Sequence, residues 1–337
     1  MIGKSCLYWC AFLCNTILIA QTLKGTIVDA ATGEPLESVA IYFDNTTIGT
    51  TTNDDGFFSI DYTDATQSTL VISYLGYEKV FITDYRSKTE LSIKLVETPN
   101  ELEEVLINYD DGLTRKQKLR LFRKEFLGVS EFAQSCKILN EEDLFLKYDS
   151  KTKTLSASSK KPILVINDKL QYDISYDLID FEIRFSNVNA QENRFLVNGV
   201  VYFGTSYYND IDDKEKRSVS KRRRKAYLGS VQHFMRSLYQ NSLEEEGFIL
   251  GERGFKTGPD KVLNIESLEN GFKKVELSKK VDVYYKKNEG SEWNVIPEFF
   301  YIDKFGNYSP IQGVLFGGEM GLQRIGDSLP SDYDLEK

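Results

Sequence analysis

Gly25-Thr26-Ile27-Val28-Asp29, Thr32-Gly33-Glu34-Pro35-Leu36 and Val39-Ala40-Ile41 follow one another near the start of the chain. They read as a β-strand, a turn punctuated by Gly33 and Pro35, and a second strand with Val39, Ile41 and Phe43 on one face. The pattern continues on both sides of a tight turn at Asn53-Asp54-Asp55-Gly56, where glycine tolerates a backbone that other residues resist. Phe58 and Ile60 alternate in the next run, residues 70–74 and 79–82 flank Leu75-Gly76-Tyr77, and Leu91, Ile93 and Leu95 alternate again. A last run at residues 105–107 closes the set. Short runs of period two with no helical period between them predict an antiparallel β-sandwich over residues 22–108. The fold class is therefore mainly β.

The same residues carry a resemblance. Gly25 to Asp29, Thr32 to Leu36 and Val39 to Ile41 are followed by Gly49-Thr50-Thr51-Thr52-Asn53-Asp54-Asp55-Gly56-Phe57-Phe58. Then come Leu70-Val71-Ile72-Ser73-Tyr74-Leu75-Gly76-Tyr77-Glu78 and Leu102-Glu103-Glu104-Val105-Leu106-Ile107. In this order they resemble the carboxypeptidase regulatory-like domain. The resemblance implies a transthyretin-like sandwich that is not itself catalytic. Such domains sit beside metallocarboxypeptidase catalytic domains or before the plug of TonB-dependent outer-membrane transporters. It covers about a quarter of the chain. Asp54 and Asp55 read as turn residues, because the alternating ligands and terminal Glu of a calcium loop are missing.

The first 21 residues read as an export signal. Lys4 precedes an apolar run from Cys6 to Ala20, broken only by Asn15 and Thr16 and short for a membrane span. Cleavage is expected near Ala20 or Gln21, although Leu18 suits a cleavage site poorly; an uncleaved anchor is the alternative. Cys6, Cys10 and Cys14 leave with the signal. Cys136 then stands alone, which excludes an intrachain disulfide and suits a small core residue.

Charge is uneven along the 337 residues. Residues 22–108 hold 15 acidic against 5 basic side chains, whereas residues 109–337 hold 36 of each. An acidic leading domain is repelled by nucleic acid and by anionic lipid. No nucleic-acid partner is expected.

Residues 109–142 read as a linker with an amphipathic helix. Leu119, Phe122 and Phe126 recur at helical spacing among Lys116, Lys118, Arg120, Arg123 and Lys124, and the helix stops before Gly128. Residues 143–337 read as a β-rich α+β domain: a meandering antiparallel sheet with a turn at Asn198-Gly199, one longer helix, then further strands. That helix runs through Leu228, Val231, Phe234, Met235, Leu238 and Leu243. At its start Lys221-Arg222-Arg223-Arg224-Lys225 forms the candidate interaction patch, facing a partner, a membrane surface or simply solvent. The Gly-rich stretch from Gly313 to Gly321 lacks the Gly-Lys-Ser/Thr ending of a phosphate loop.

Catalysis is constrained by a single histidine, His233. The zinc site of a carboxypeptidase requires two, so that chemistry is excluded. No Gly-x-Ser-x-Gly elbow accompanies His233, and a Cys136–His233 pair has no supporting motif. No cofactor or metal is expected. The reading is a non-catalytic exported binding or assembly module of the cell envelope, in the periplasm or at the outer membrane, whose partner is an envelope protein or glycan. The alternative is an envelope glycan hydrolase using a carboxylate pair in the second domain.

Overall fold

The computed structural model describes residues 21–63, 68–98, 111–212, 216–269, 271–286 and 290–333. The expected signal and the expected strand at residues 105–107 lie outside them.

The first unit is the expected sandwich. Strands β1 (Gln21–Asp29), β4 (Phe57–Tyr62) and β7 (Glu90–Leu95) make one sheet in the order β4-β1-β7. Strands β2 (Ala40–Phe43), β3 (Gly49–Thr51), β5 (Leu70–Ser73) and β6 (Val80–Ile82) make the other, ordered β3-β2-β5-β6. Alternation sets the core: Phe58, Ile60 and Tyr62 point inward from β4, and Leu91, Ile93 and Leu95 from β7. Each fully buried apolar side chain there, such as Ile27, Phe43 or Leu70, stabilises by about 1.5–3 kcal/mol. One pair departs from the antiparallel expectation. β7 runs parallel to β1, with Gly25 opposite Leu91, because the chain crosses over from the second sheet before returning beside its first strand.

The expected helix follows as α1 (Arg115–Leu127). Thr114 Oγ1 accepts the Gln117 N–H, and Gln117 Oε1 accepts the Thr114 N–H in return. It is not a free linker element. Phe122 and Phe126 are fully buried, their rings 4.7 Å from Phe181 and 5.1 Å from Tyr176. The sheet beneath comprises β8 (Cys136–Ile138), β9 (Leu144–Asp149), β10 (Thr154–Ser159), β11 (Ile163–Asn167), β12 (Tyr172–Asn189) and β13 (Arg194–Asp210). β12 lies at its centre. One side of β12 takes β11 and then β10; the other pairs along its length with β13.

Two helices stand where one longer helix was expected: α2 (Arg217–Tyr227) and α3 (Val231–Gln240). The break falls at Gly229, whose φ of +82° is left-handed backbone that cannot continue a helix. Beyond α3 lie two further sheets. One joins β14 (Phe248–Glu252), β15 (Phe255–Thr257), β18 (Val281–Tyr285), β19 (Gly290–Val295) and β22 (Val314–Gly317). The other joins β16 (Leu263–Ser267), β17 (Lys273–Leu277), β20 (Phe300–Ile302) and β21 (Tyr308–Ser309). The described chain from Leu113 onward thus holds two cores. One surrounds Phe181 and includes α1; the other surrounds Trp293 and Phe234.

The end of the described chain ties these parts together. Ile325 and Leu329 enter the first of those cores. From α3, the guanidinium of Arg236 donates to the carbonyls of Phe305, Ser331 and Tyr333 at 2.9, 2.7 and 2.9 Å.

Candidate functional site

The sandwich is fastened to the second region by a buried polar junction. Asp177, on β12, is 4% exposed. Its Oδ2 accepts the Tyr42 hydroxyl at 2.9 Å, and its Oδ1 lies 2.8 Å from Lys79 Nζ. The Tyr42 oxygen also meets Thr205 Oγ1 at 3.0 Å. Burial, then the adjacent Asp177 charge, pushes the Tyr42 phenol far above its ordinary range, so it stays a donor. Beside this group the loop after β2 lies along the outer edge of β13. Asn45 N–H donates to the Ser206 carbonyl at 2.7 Å, and Tyr208 N–H donates to the Thr46 carbonyl at 3.0 Å. Asp44 Oδ1 accepts the Ser206 N–H at 2.9 Å; burial pushes its carboxyl up to about 6.

The C-terminal segment closes the junction. Ser331 N–H donates to the Asn45 carbonyl at 2.6 Å, and both Asp332 oxygens accept the Thr47 N–H at 3.1 Å. Burial raises the Asp332 carboxyl above the usual range. Gly49 is required by close approach, because a Cβ there would lie 2.6 Å from the Tyr207 ring.

The five basic residues of α2 are divided in use. Arg222 Nε donates to the Lys169 carbonyl at 2.6 Å. Arg223 is buried, donates to the carbonyls of Leu170 and Gln171, and stacks 3.7 Å from the Tyr172 ring centre. Lys225 pairs with Glu131. Lys221 and Arg224 remain exposed.

A cleft of about 410 Å³ opens where the turn after α1, the end of α2 and β18 meet the short helix α4 (Gly318–Gly321). Glu131, Lys225, Tyr285, Glu319, Gln323 and Asp327 line it with several apolar side chains. Burial raises the Asp327 carboxyl above the usual range; the Ser130 hydroxyl and Arg324 N–H donate to it and oppose that shift. Glu131 is held below its ordinary range by Lys225 and Lys169.

His233 is buried and Cys136 half-buried. His233 Nδ1 accepts the Gly229 N–H at 3.1 Å, which leaves Nε2–H to donate to Glu246 Oε2 at 3.2 Å. Burial lowers its pKa, so the neutral ring stands among Tyr227, Phe248 and Tyr285. Burial pushes the Cys136 thiol up to about 12, far from a reactive thiolate. Among the described residues no group of three or more His, Cys, Asp or Glu side chains is arranged to hold a metal ion. Sequence reasoning singled out none of Asp44, Asp177, Asp327 or Asp332. Asp177 is 135 residues from Tyr42, and Asp332 is 285 from Thr47, so no local signal marks them.

Residues 23–107 match the family described as the CarboxypepD_reg-like domain. A curated relative, a TonB-dependent receptor of Formosa agariphila, is 35% identical over 107 residues, which is 32% of this chain. The chain spans about a tenth of that receptor's length. Two solved structures share lower similarity. A 9R-lipoxygenase from Cyanothece has a TM-score of 0.19 and 10% identity, over 65% of this chain and 48% of its own. A protein of unknown function from Bacteroides fragilis has a TM-score of 0.19 and 12% identity, over 88% of this chain and 94% of its own. No described helix is long and apolar enough to cross a membrane.

Proposed function

We propose that the chain is a non-catalytic, exported binding or assembly module of the cell envelope, interacting with an envelope protein or glycan. The observation that carries this reading is the Asp177 junction. A domain of the regulatory-like family is clamped to the second region by buried side-chain bonds, an ion pair and backbone pairing, not tethered beside it. A clamped sandwich presents its loops in one fixed orientation, which favours binding because less freedom is lost on association. The relative among TonB-dependent receptors supports an envelope setting, and the apolar leader at residues 1–21 supports export.

The test is to tag the protein in its native host, fractionate the envelope and crosslink mildly. A stoichiometric partner in an envelope fraction is the expected result. A protein that stays alone in the soluble fraction overturns the reading.

One observation favours the alternative, an envelope glycan hydrolase. The cleft beside α4 contains Asp327, whose carboxyl burial raises above the usual range, the direction a general acid needs. Against it, the same carboxyl caps the turn at Arg324, and Glu131 is neutralised by two lysines. Release of reducing ends from envelope glycan, abolished by Asp327→Asn, would decide for hydrolysis.

A further inference from the structure

Among the described strands β13 is an edge. Its inner side pairs with β12 throughout, and on its outer side only the Thr46–Tyr207 bridge to the sandwich is formed. That bridge fixes which residues turn their amides outward. The Ser206 carbonyl and the Tyr208 N–H both face the sandwich, so alternation places those of Gly204, Tyr202 and Val200 on the same side. Nothing described covers them.

This edge also lacks the charges and prolines that protect edge strands. From Phe195 to Asn209 there is neither a charged residue nor a proline. The other described edge strands are charged or short. β4, β7, β8, β9, β15 and β16 each contain Asp, Glu or Lys, and β3, β6, β21 and β22 have at most four residues. A register shift whose extra residue is Asn198 breaks β13 there. Another, whose extra residue Ile179 lies on β12, falls opposite Gly204 and Phe203, so β13 itself runs without an inserted residue through 199–204, the open stretch.

We propose that this stretch pairs with the same stretch of a second copy, antiparallel about a two-fold axis at Tyr202. Two arguments select a second copy. The surface is continuous with one that already accepts backbone pairing, where Asn45 and Thr46 of the sandwich loop bond to Ser206 and Tyr208. The stretch is also self-complementary. Val200 meets Gly204 of the copy in hydrogen-bonded register, Tyr202 meets its counterpart, and Val201 meets Phe203 on the outer face. That last contact is a favourable β-branched–aromatic pair, and no charge lies opposite a charge. Val201 is 44% exposed in the single chain, so the pairing would cover it.

The test is sedimentation of the purified protein over a concentration series. A reversible monomer–dimer equilibrium is expected. Val201→Lys sets a charge on the seam and should weaken association by about tenfold or more, with the melting temperature unchanged. Val200→Pro removes an outward N–H without breaking a β12 bond and should act alike. If it misfolds, Val201→Lys decides alone. A monomer at every concentration, or a dimer that Val201→Lys leaves intact, overturns the proposal.

Discussion

The Tyr42 hydroxyl donates to Asp177 Oδ2 at 2.9 Å across 135 residues of sequence, and this bond lies at the centre of the contact between the sandwich and the sheet. Asp177 has a second partner, Lys79, whose side chain is 31% exposed. Solvent screens the ion pair more than it screens the enclosed phenol. Tyr42→Phe should therefore cost about 1.5–3 kcal/mol, the range for a hydrogen bond to a charged group. Lys79→Ala should cost less, about 1 kcal/mol or below. Urea unfolding of both variants checks the ranking, and the reverse order would mean that the ion pair is the main fastening.

Asp44 makes the junction sensitive to acid. Its carboxyl rises from 3.8 to about 6 because burial disfavours the charge, with Asp177 adding repulsion and the Ser206 and Asn45 N–H groups opposing the shift. The folded protein therefore holds this proton more tightly than the unfolded chain. Its contribution is complete below about pH 4 and is lost as pH rises through about 6, an effect on the order of 2–3 kcal/mol. His233 works in the other direction. Its lowered pKa gives stability that is present above pH 6.5 and declines as pH falls. The two slopes offset each other in the whole protein, so the measurement is a difference. Between pH 4 and 7 the stability of Asp44→Asn minus that of the parent should climb with pH; a flat difference would show that Asp44 titrates normally.

Gly49 and Tyr207 form a second pair that mutation can separate. A methyl group on Gly49 would lie 2.6 Å from the tyrosine ring, and the Tyr207 ring itself packs, tilted, 5.5 Å from that of Tyr42. Gly49→Ala should cost about 1–3 kcal/mol by overpacking. Tyr207→Ser should recover much of that loss in the double variant, whereas Tyr207→Phe, which keeps the ring, should not. Additive losses in the Gly49→Ala/Tyr207→Ser cycle would place the strain elsewhere.

The sandwich was legible because its signals are local. Phe58, Ile60 and Tyr62 alternate within one strand, and that alternation alone assigns the inner face. Phe122 and Phe126 gave α1 in the same way, although only packing shows that the helix completes the core of the next sheet. Strand pairing was not legible. The parallel match of β1 with β7, and the union of several short patterns into the 18 residues of β12, depend on contacts far along the chain. The junction was hidden for a related reason. Asn53-Asp54-Asp55-Gly56 marks Asp54 as a turn residue, but nothing in Tyr176-Asp177-Leu178 says that folding will bring a buried phenol to Asp177.

Arg223 carries the last prediction, because it separates a structural arginine from a binding one within a single basic run. Its side chain is buried, bonded to the carbonyls of Leu170 and Gln171, paired with Asp210 at 2.5 Å and stacked on Tyr172. A lysine reproduces the charge but neither the planar fork nor the stacking. Arg223→Lys should therefore destabilise by about 2–4 kcal/mol, and Arg223→Ala by at least as much, since either leaves buried carbonyls without donors. Lys221→Ala and Arg224→Ala, on the exposed side of the same helix, should shift stability by less than about 0.5 kcal/mol. Thermal unfolding of the four variants tests this directly. If the run is instead one surface patch, all four substitutions will leave the melting temperature unchanged and act together on binding to anionic vesicles.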